Sequence, residues 1–212
     1  MKRYIKSAIS DMTSESPEVH LEIAKNPNMR PADMQRLFNL YIDDVNAAGG
    51  YYLREVARYV FEAIADNPNT PEDILRDLIK CRDVGVLNAL ASRPDLPRDL
   101  QGKLVNSKYY SVRSNLARNP AAATIILDLL SDDLDWRIRD DVAGNKSATV
   151  ELLSKLAKDE YPPVRVSVAE NPNVTDEILE TLMHDNVTAV RRAMKHTWLN
   201  RHPGDWTKFL GQ

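Results

Sequence analysis

The chain has 212 residues, 43% hydrophobic and 28% charged, with a formal net charge of −3 and a pI near 5.8. This is ordinary globular composition; it excludes the strongly basic profile of a general nucleic-acid binder, although a local basic patch stays open. Cys81 is the single cysteine, which excludes a disulfide framework, a thiolate metal cage or an iron–sulfur cluster within the chain and suits a reducing cytoplasm.

The first residues, Met1-Lys-Arg-Tyr-Ile-Lys, lead into no apolar run of signal-peptide length, and no stretch approaches about 18 apolar residues, so the chain reads as soluble and unexported. Residues 1–18 read as an N-terminal cap. From Val19 a pattern begins (Val19, Ala24, Asn26-Pro27, Leu37) that returns 41 residues later at Val60, Ala65, Asn67-Pro68 and Leu78. After that the step is 26. Val60, Val86, Val112, Ile138, Val164 and Val190 form one column; Ala65, Ala91, Ala117, Ala143 and Ala169 another; Ile74, Leu100, Ile126, Leu152 and Ile178 a third; and Leu78, Leu104, Leu130, Leu156 and Leu182 a fourth. Such a period marks a solenoid whose units cannot bury their apolar faces alone and must stack.

The first step of 41 is 26 plus 15, so about fifteen residues are inserted near 39–53. That segment carries Ala47-Ala48-Gly49-Gly50 beside Tyr41, Asp43, Asp44, Tyr51 and Tyr52. Two readings stand: a loop on the binding face, or two adjacent helices made longer, with packed tyrosines. In the repeat from Val60, Thr70 is placed to cap a helix, with Pro71 at its first position and Glu72 and Asp73 in its first turn. In the repeat from Val164, Val164, Val168 and Ala169 share a face, Asn171-Pro172 stops the helix, and Thr175 caps the next, whose stripe is Ile178, Leu179, Leu182 and Met183. Each unit therefore predicts a short helix, a turn and a longer helix. The array spans 19–195. After Ala193, Thr197-Trp198 replaces Asn-Pro, and residues 196–212, with Trp206 and Leu210, read as a C-terminal cap.

The motif Val112-Arg113…Leu116-Ala117-Arg118-Asn119-Pro120, repeated as Val164-Arg165…Val168-Ala169-Glu170-Asn171-Pro172, resembles that of the leucine-rich repeat variant family. The resemblance implies an all-helical, HEAT-like superhelix of alternating α and 3₁₀ helices. The 26-residue step is slightly longer than the family's, and no cysteines are present for the N-terminal iron–sulfur segment known in one member, so no redox function is implied. The expected fold is all-α: a right-handed superhelical solenoid of 26-residue helix-turn-helix repeats, about six to seven of them.

Arg113, Arg139, Arg165 and Arg191 form a fifth column, which invites phosphate binding. Asp133, Asp159 and Asp185 lie six residues before Arg139, Arg165 and Arg191, and an Asp–Arg ladder between stacked units uses that charge internally; this structural reading is preferred. The Asn-Pro column (Asn26, Asn67, Asn119, Asn171) reads as a turn tie. Trp136 and Asp140 are four apart and share a helix face with Asp141 nearby. A Trp and Asp at this spacing also occur in the helical-repeat alkylpurine DNA glycosylases, but the run Asp128, Asp132, Asp133, Asp135, Asp140, Asp141 is acidic and repels phosphate. That run suits a basic partner or, less well, a hard cation, though a solvated face explains it equally. Near the end, Arg191, Arg192, Lys195, His196, Arg201, His202 and Lys208 gather around Trp198 and Trp206, either as an anionic-partner site or as a solvated cap.

No phosphate-binding loop, dinucleotide fingerprint, His-Glu-x-x-His or nucleophile elbow occurs, and His20, His184, His196 and His202 make no metal set. Cys81, between Lys80 and Arg82, has neighbours able to lower its pKa, but a lone cysteine at a helix end is more often inert, and that reading is preferred. The expectation is a non-catalytic, cofactor-free and metal-free scaffold of bacterial or phage-like cytoplasm that binds a protein partner and no membrane. Its contacts are then the repeat-breaking positions Tyr51, Tyr52, Trp136, Asp140, Asp141, Arg192 and His196. Nucleic-acid binding is the alternative.

Overall fold

The computed structural model describes residues 16–46, 51–205 and 207–209, and among these every regular element is helical. The chain divides into two compact units, 1–100 and 101–212. The first holds α1 (Pro17–Ala24), α2 (Pro31–Asn46), α3 (Tyr51–Asp66), α4 (Glu72–Leu78) and α5 (Val84–Ser92); α6 (Arg98–Leu104) runs across the division. The second holds α7 (Tyr110–Arg118), α8 (Thr124–Leu130), α9 (Trp136–Gly144), α10 (Val150–Leu156), α11 (Pro162–Glu170), α12 (Asp176–Leu182) and α13 (Thr188–Arg201).

In the second unit each repeat is a leading helix (α7, α9, α11) followed by a trailing helix (α8, α10, α12). Leading helices pack on one another, α9 between α7 and α11 and α13 against α11, which is the arrangement of a helical-repeat solenoid. In the first unit α3 packs against α1, α2 and α5. The apolar columns make the core. Val60, Val86, Val112, Ile138, Val164 and Val190 are all fully buried, as are the Ala column and, within a few per cent, the two Ile/Leu columns. Each such aliphatic side chain contributes roughly 1.5–3 kcal/mol by leaving water, and a single short helix cannot cover its own apolar face, so the stacking of repeats supplies the burial.

The helix lengths reverse the expectation. Leading helices α7, α9 and α11 have 9 residues and trailing helices α8, α10 and α12 have 7. The leading helix gains residues N-terminal to the valine column, starting at Pro162 in α11, while the turn ending in Asp133, Asp159 or Asp185 stops the trailing helix after two turns. Both helices are α; 3₁₀ geometry is confined, among the described residues, to Ile79–Cys81 and Thr207–Phe209. Thr175 accepts from the Ile178 amide and Thr149 from Leu152, as N-caps do. Thr70 does not. Its hydroxyl turns inward and donates to the Ile64 carbonyl at the end of α3, so α4 starts one residue past Pro71 without a side-chain cap.

The extra residues after Leu37 lengthen two helices: α2 and α3 have 16 residues each. Tyr41 is buried and its hydroxyl lies 2.7 Å from His20 Nδ1. Residues 47–50 and the side chains of Tyr51 and Tyr52 lie outside the described set, as do residues 1–15 and Trp206. No helix of the described residues is long and apolar enough to cross a membrane.

Candidate interaction groove on the leading helices

Two hydrogen-bonded columns tie successive repeats before any surface is available for binding. The first is the turn asparagine. Asn145 Oδ1 accepts from the Ser147 amide at 2.7 Å, closing an Asx turn, while its Nδ2 reaches back one repeat to the carbonyls of Ala117 (2.6 Å) and Asn119 (2.9 Å). Asn171 does the same with the Asn173 amide, Ala143 and Asn145. In the first unit Asn67 bonds the carbonyls of Ala24 and Asn26, and Arg93, standing in the same column, bonds those of Ala65 and Asn67. The alanine carbonyls (Ala24, Ala65, Ala117, Ala143) are free ends of leading helices and would be stranded without this donor, whereas those of Asn26, Asn67, Asn119 and Asn145 also accept from a turn amide three residues on.

The second column is the Arg–Asp edge. Arg139 forks onto Asp159 (Nε–Oδ2 2.6 Å, Nη2–Oδ1 2.9 Å), twenty residues ahead, and its Nη1 donates to the Asp133 carbonyl six residues behind. Arg165 repeats this with Asp185 and Asp159, and Arg113 with Asp133 and the Ser107 carbonyl. Arg191 keeps the backward bond to Asp185 and adds Thr188 Oγ1. Burial alone would push the Asp159 carboxyl up, yet the Arg139 guanidinium holds it below the usual carboxylate range; Arg165 holds Asp185 low in the same way. The arginine column is thereby occupied by the protein's own acceptors.

What remains open is a groove of about 480 Å³ on the leading-helix face of the second unit, lined by Arg118, Pro120, Asp140, Asp141, Gly144, Asn145, Lys146 and Ser167. Ser114 Oγ donates to Asp141 Oδ2 at 2.5 Å, and Ser167 Oγ to Asp140 Oδ1 at 2.6 Å. Burial raises the Asp141 carboxyl against the opposing pull of Ser114 and of Arg118, whose Nε is 3.8 Å away. Arg118 and Lys146 are exposed on the rim. One repeat further on, a groove of about 540 Å³ is lined by Glu170, Pro172, His196, Thr197, Asn200 and Arg201. The surface is shallow and carries both signs of charge, which suits docking of an extended, polar macromolecular face and offers no enclosed reaction site.

No family model matches the chain, and no curated protein matches it. A solved structure described as a leucine-rich repeat variant with a novel repetitive protein structural motif superposes with a TM-score of 0.54, covering 87% of this chain and 84% of its own, at 20% identity. The fold is that of a leucine-rich repeat variant. At that identity the likeness carries the architecture alone.

On this leucine-rich repeat variant fold the remaining candidates separate. Trp136 and Asp140 do not converge. Trp136 stacks on Tyr161, ring centroids 5.7 Å apart and planes 12° apart, while Asp140 turns to Ser167 in the groove. Arg137 pairs with Asp135, whose carboxyl it lowers to about 2, and lies over the Tyr110 ring. The acidic run disperses too: Asp132 pairs with Lys155 and Asp133 with Arg113, and no group of three metal-binding side chains exists among the described residues. Of the C-terminal bases, Arg201 bonds the carbonyls of Pro172 and Val174, His202 lies 3.0 Å from Asp176, and Lys195 sits over Phe209. Arg192 and His196 are exposed. The Cys81 thiol is pushed up by burial, then by Asp83 and Asp77, rather than lowered by its neighbours, and Lys80 pairs with Asp77. Sequence reasoning missed Ser114 and Ser167. Each stands 27 residues from its aspartate, one residue off the 26-residue register, so column inspection does not pair them.

Proposed function

We propose that the protein is a non-catalytic interaction scaffold of a bacterial-type cytoplasm, and that it binds a protein partner along the leading-helix face of residues 101–212. The observation that carries this reading is the division of labour among polar side chains. The periodic ones (Asn145, Asn171, Arg139, Arg165) are spent between repeats, whereas those that break the period (Arg118, Asp140, Asp141, Lys146, His196) line open grooves, and Arg192 is exposed. Repeat proteins place specificity on such exceptions, and a mixed-charge groove selects a partner of complementary pattern.

The test is affinity capture of the tagged full chain from native lysate, half of it nuclease-treated, beside the variant D140A/K146A/R192A/H196A. A stoichiometric protein retained after nuclease and lost from the variant, with melting unchanged, is the expected result. A partner held equally by the variant removes the groove from the reading. Nucleic-acid binding is the second reading, favoured by the exposed Arg118, Lys146 and Arg192 on this face. It requires a salt-dependent duplex or single-strand affinity that falls with R192A.

A further inference from the structure

The trailing helices form a second surface of different chemistry. Ile125, Leu129 and Leu134 are the three most exposed large hydrophobic residues among those described, at 62%, 52% and 101%. They belong to one repeat. In every other 26-residue repeat the same columns are polar; the next repeat carries Glu151, Lys155 and Glu160. Ile125 and Leu129 are four apart on α8 and so form one ridge, which Leu134 extends into the following turn. Single exposed leucines need no explanation, but three on one repeat, at columns polar elsewhere, form a patch of the kind that marks an interaction site.

Towards the C-terminal repeats the surroundings are anionic, whereas the preceding repeat carries Lys103 and Lys108 at the columns of Leu129 and Leu134. Across α8, α10 and α12 five acidic residues, Asp128, Glu151, Asp176, Glu177 and Glu180, stand against one base, Lys155, which Asp132 and Ser131 already hold. The opposite, leading-helix face carries the exposed cations Arg118, Arg137 and Arg192. An isologous pairing of two copies through this patch would set like charges together, and nucleic acid is repelled for the same reason.

We infer that the ridge Ile125–Leu129–Leu134 docks a cationic amphipathic helix of another protein, its apolar side chains seated on the three residues and its lysines or arginines facing Asp128, Glu151 and Glu160. This rests on the scaffold reading and adds a second face to it.

The probe is a fluorescein-labelled 18-residue lysine/leucine helix with leucines spaced i, i+4, titrated by fluorescence anisotropy into the full chain, with a glutamate/leucine helix as counter-probe. The decisive variant is I125E/L129K, which imports the residues of the next repeat, leaves net charge unchanged and preserves a surface that the fold already tolerates. The basic probe is expected to bind, to weaken with salt, to protect amides 124–134 from hydrogen exchange, and to lose about tenfold or more affinity with the variant. Equal affinity for the variant, protection elsewhere, or equal binding of the acidic probe overturns the proposal. Self-association in analytical ultracentrifugation that disappears with the variant overturns it in favour of a second copy. A lysate partner captured through the leading-helix groove and unaffected by I125E/L129K leaves the scaffold reading standing without this face.

Discussion

The two units close the same edge in two ways. At the column where residues 101–212 carry Arg113, Arg139 and Arg165, residues 1–100 carry Phe61 and Leu87, exposed by only 2% and 7%. Where the second unit forks guanidinium onto carboxylate, the first packs apolar carbon. A partly buried ion pair is not intrinsically more stabilising than a well-packed hydrocarbon of similar volume, because desolvation offsets the Coulomb gain. The turn column behaves differently: between Asn67 and Asn171 it is broken once, by Arg93, yet the replacement bonds the equivalent two carbonyls of the preceding repeat. The edge is exchangeable chemistry, and the bond to the helix end is obligatory.

The sharpest way to break that contrast is the turn column. Asn171→Ala strands the Ala143 carbonyl, removes one of the two donors to that of Asn145 and opens the turn to Asn173, and is expected to cost about 3 kcal/mol in thermal or urea unfolding; Arg93→Ala should cost a similar amount, whereas Arg93→Asn should stay within about 1 kcal/mol of the parent. A near-neutral N171A would show that the obligatory column is decorative. Next comes the edge. Arg165→Leu leaves the Asp185 carboxylate without its fork and should cost about 2 kcal/mol, and adding Asp185→Ser, so that the site carries the Leu87 and Ser107 residue types, should recover most of it. Failure of the double variant to recover would mean that the two edge chemistries are not interchangeable.

The edge also has a pH signature. Asp159 and Asp185 titrate below the ordinary carboxylate value of about 3.9, so the stability they contribute is present above that pH and is lost as pH falls through their lowered folded-state values. The parent and R165L/D185S should therefore melt close together near pH 7, and the parent, which alone carries the Asp185 pair, should lose stability relative to the variant below about pH 4. Asp141 has the opposite sign. Burial raises its carboxyl, so its ionised form is a small liability at neutral pH that vanishes as pH falls below the raised value. Asp141→Asn, still able to accept from Ser114, should gain at most about 0.5 kcal/mol at pH 7 and nothing in acid.

The repeat architecture is readable in the sequence because burial is periodic: Val60 to Val190 and Leu78 to Leu182 are inside for the same reason in every unit. Local chemistry was less legible wherever a side chain acts across repeats. The arginine and aspartate columns are visible at a separation of six, but the ion pair spans twenty, a number that only the stacking supplies. Thr70 looks like a cap until the Ile64 carbonyl lies within reach. Cys81 sits beside Lys80, which pairs with Asp77, and its thiol is raised by burial. The fifteen extra residues were compatible with a loop or with longer helices; α2 and α3 are the longer helices, and Tyr41 is buried against His20. Ile125, Leu129 and Leu134 were in view throughout, yet apolar letters say nothing of exposure until the helix they ride on is turned.

The backward reach of the turn asparagine imposes a direction on synthesis. The carbonyl of Ala143 remains in the keeping of water until Asn171, 28 residues downstream, has left the ribosome, and that of Ala117 waits for Asn145. Each repeat is completed by its successor, so the nascent chain matures from its first turn towards its last, and unravelling, once begun at the last rung, proceeds the other way.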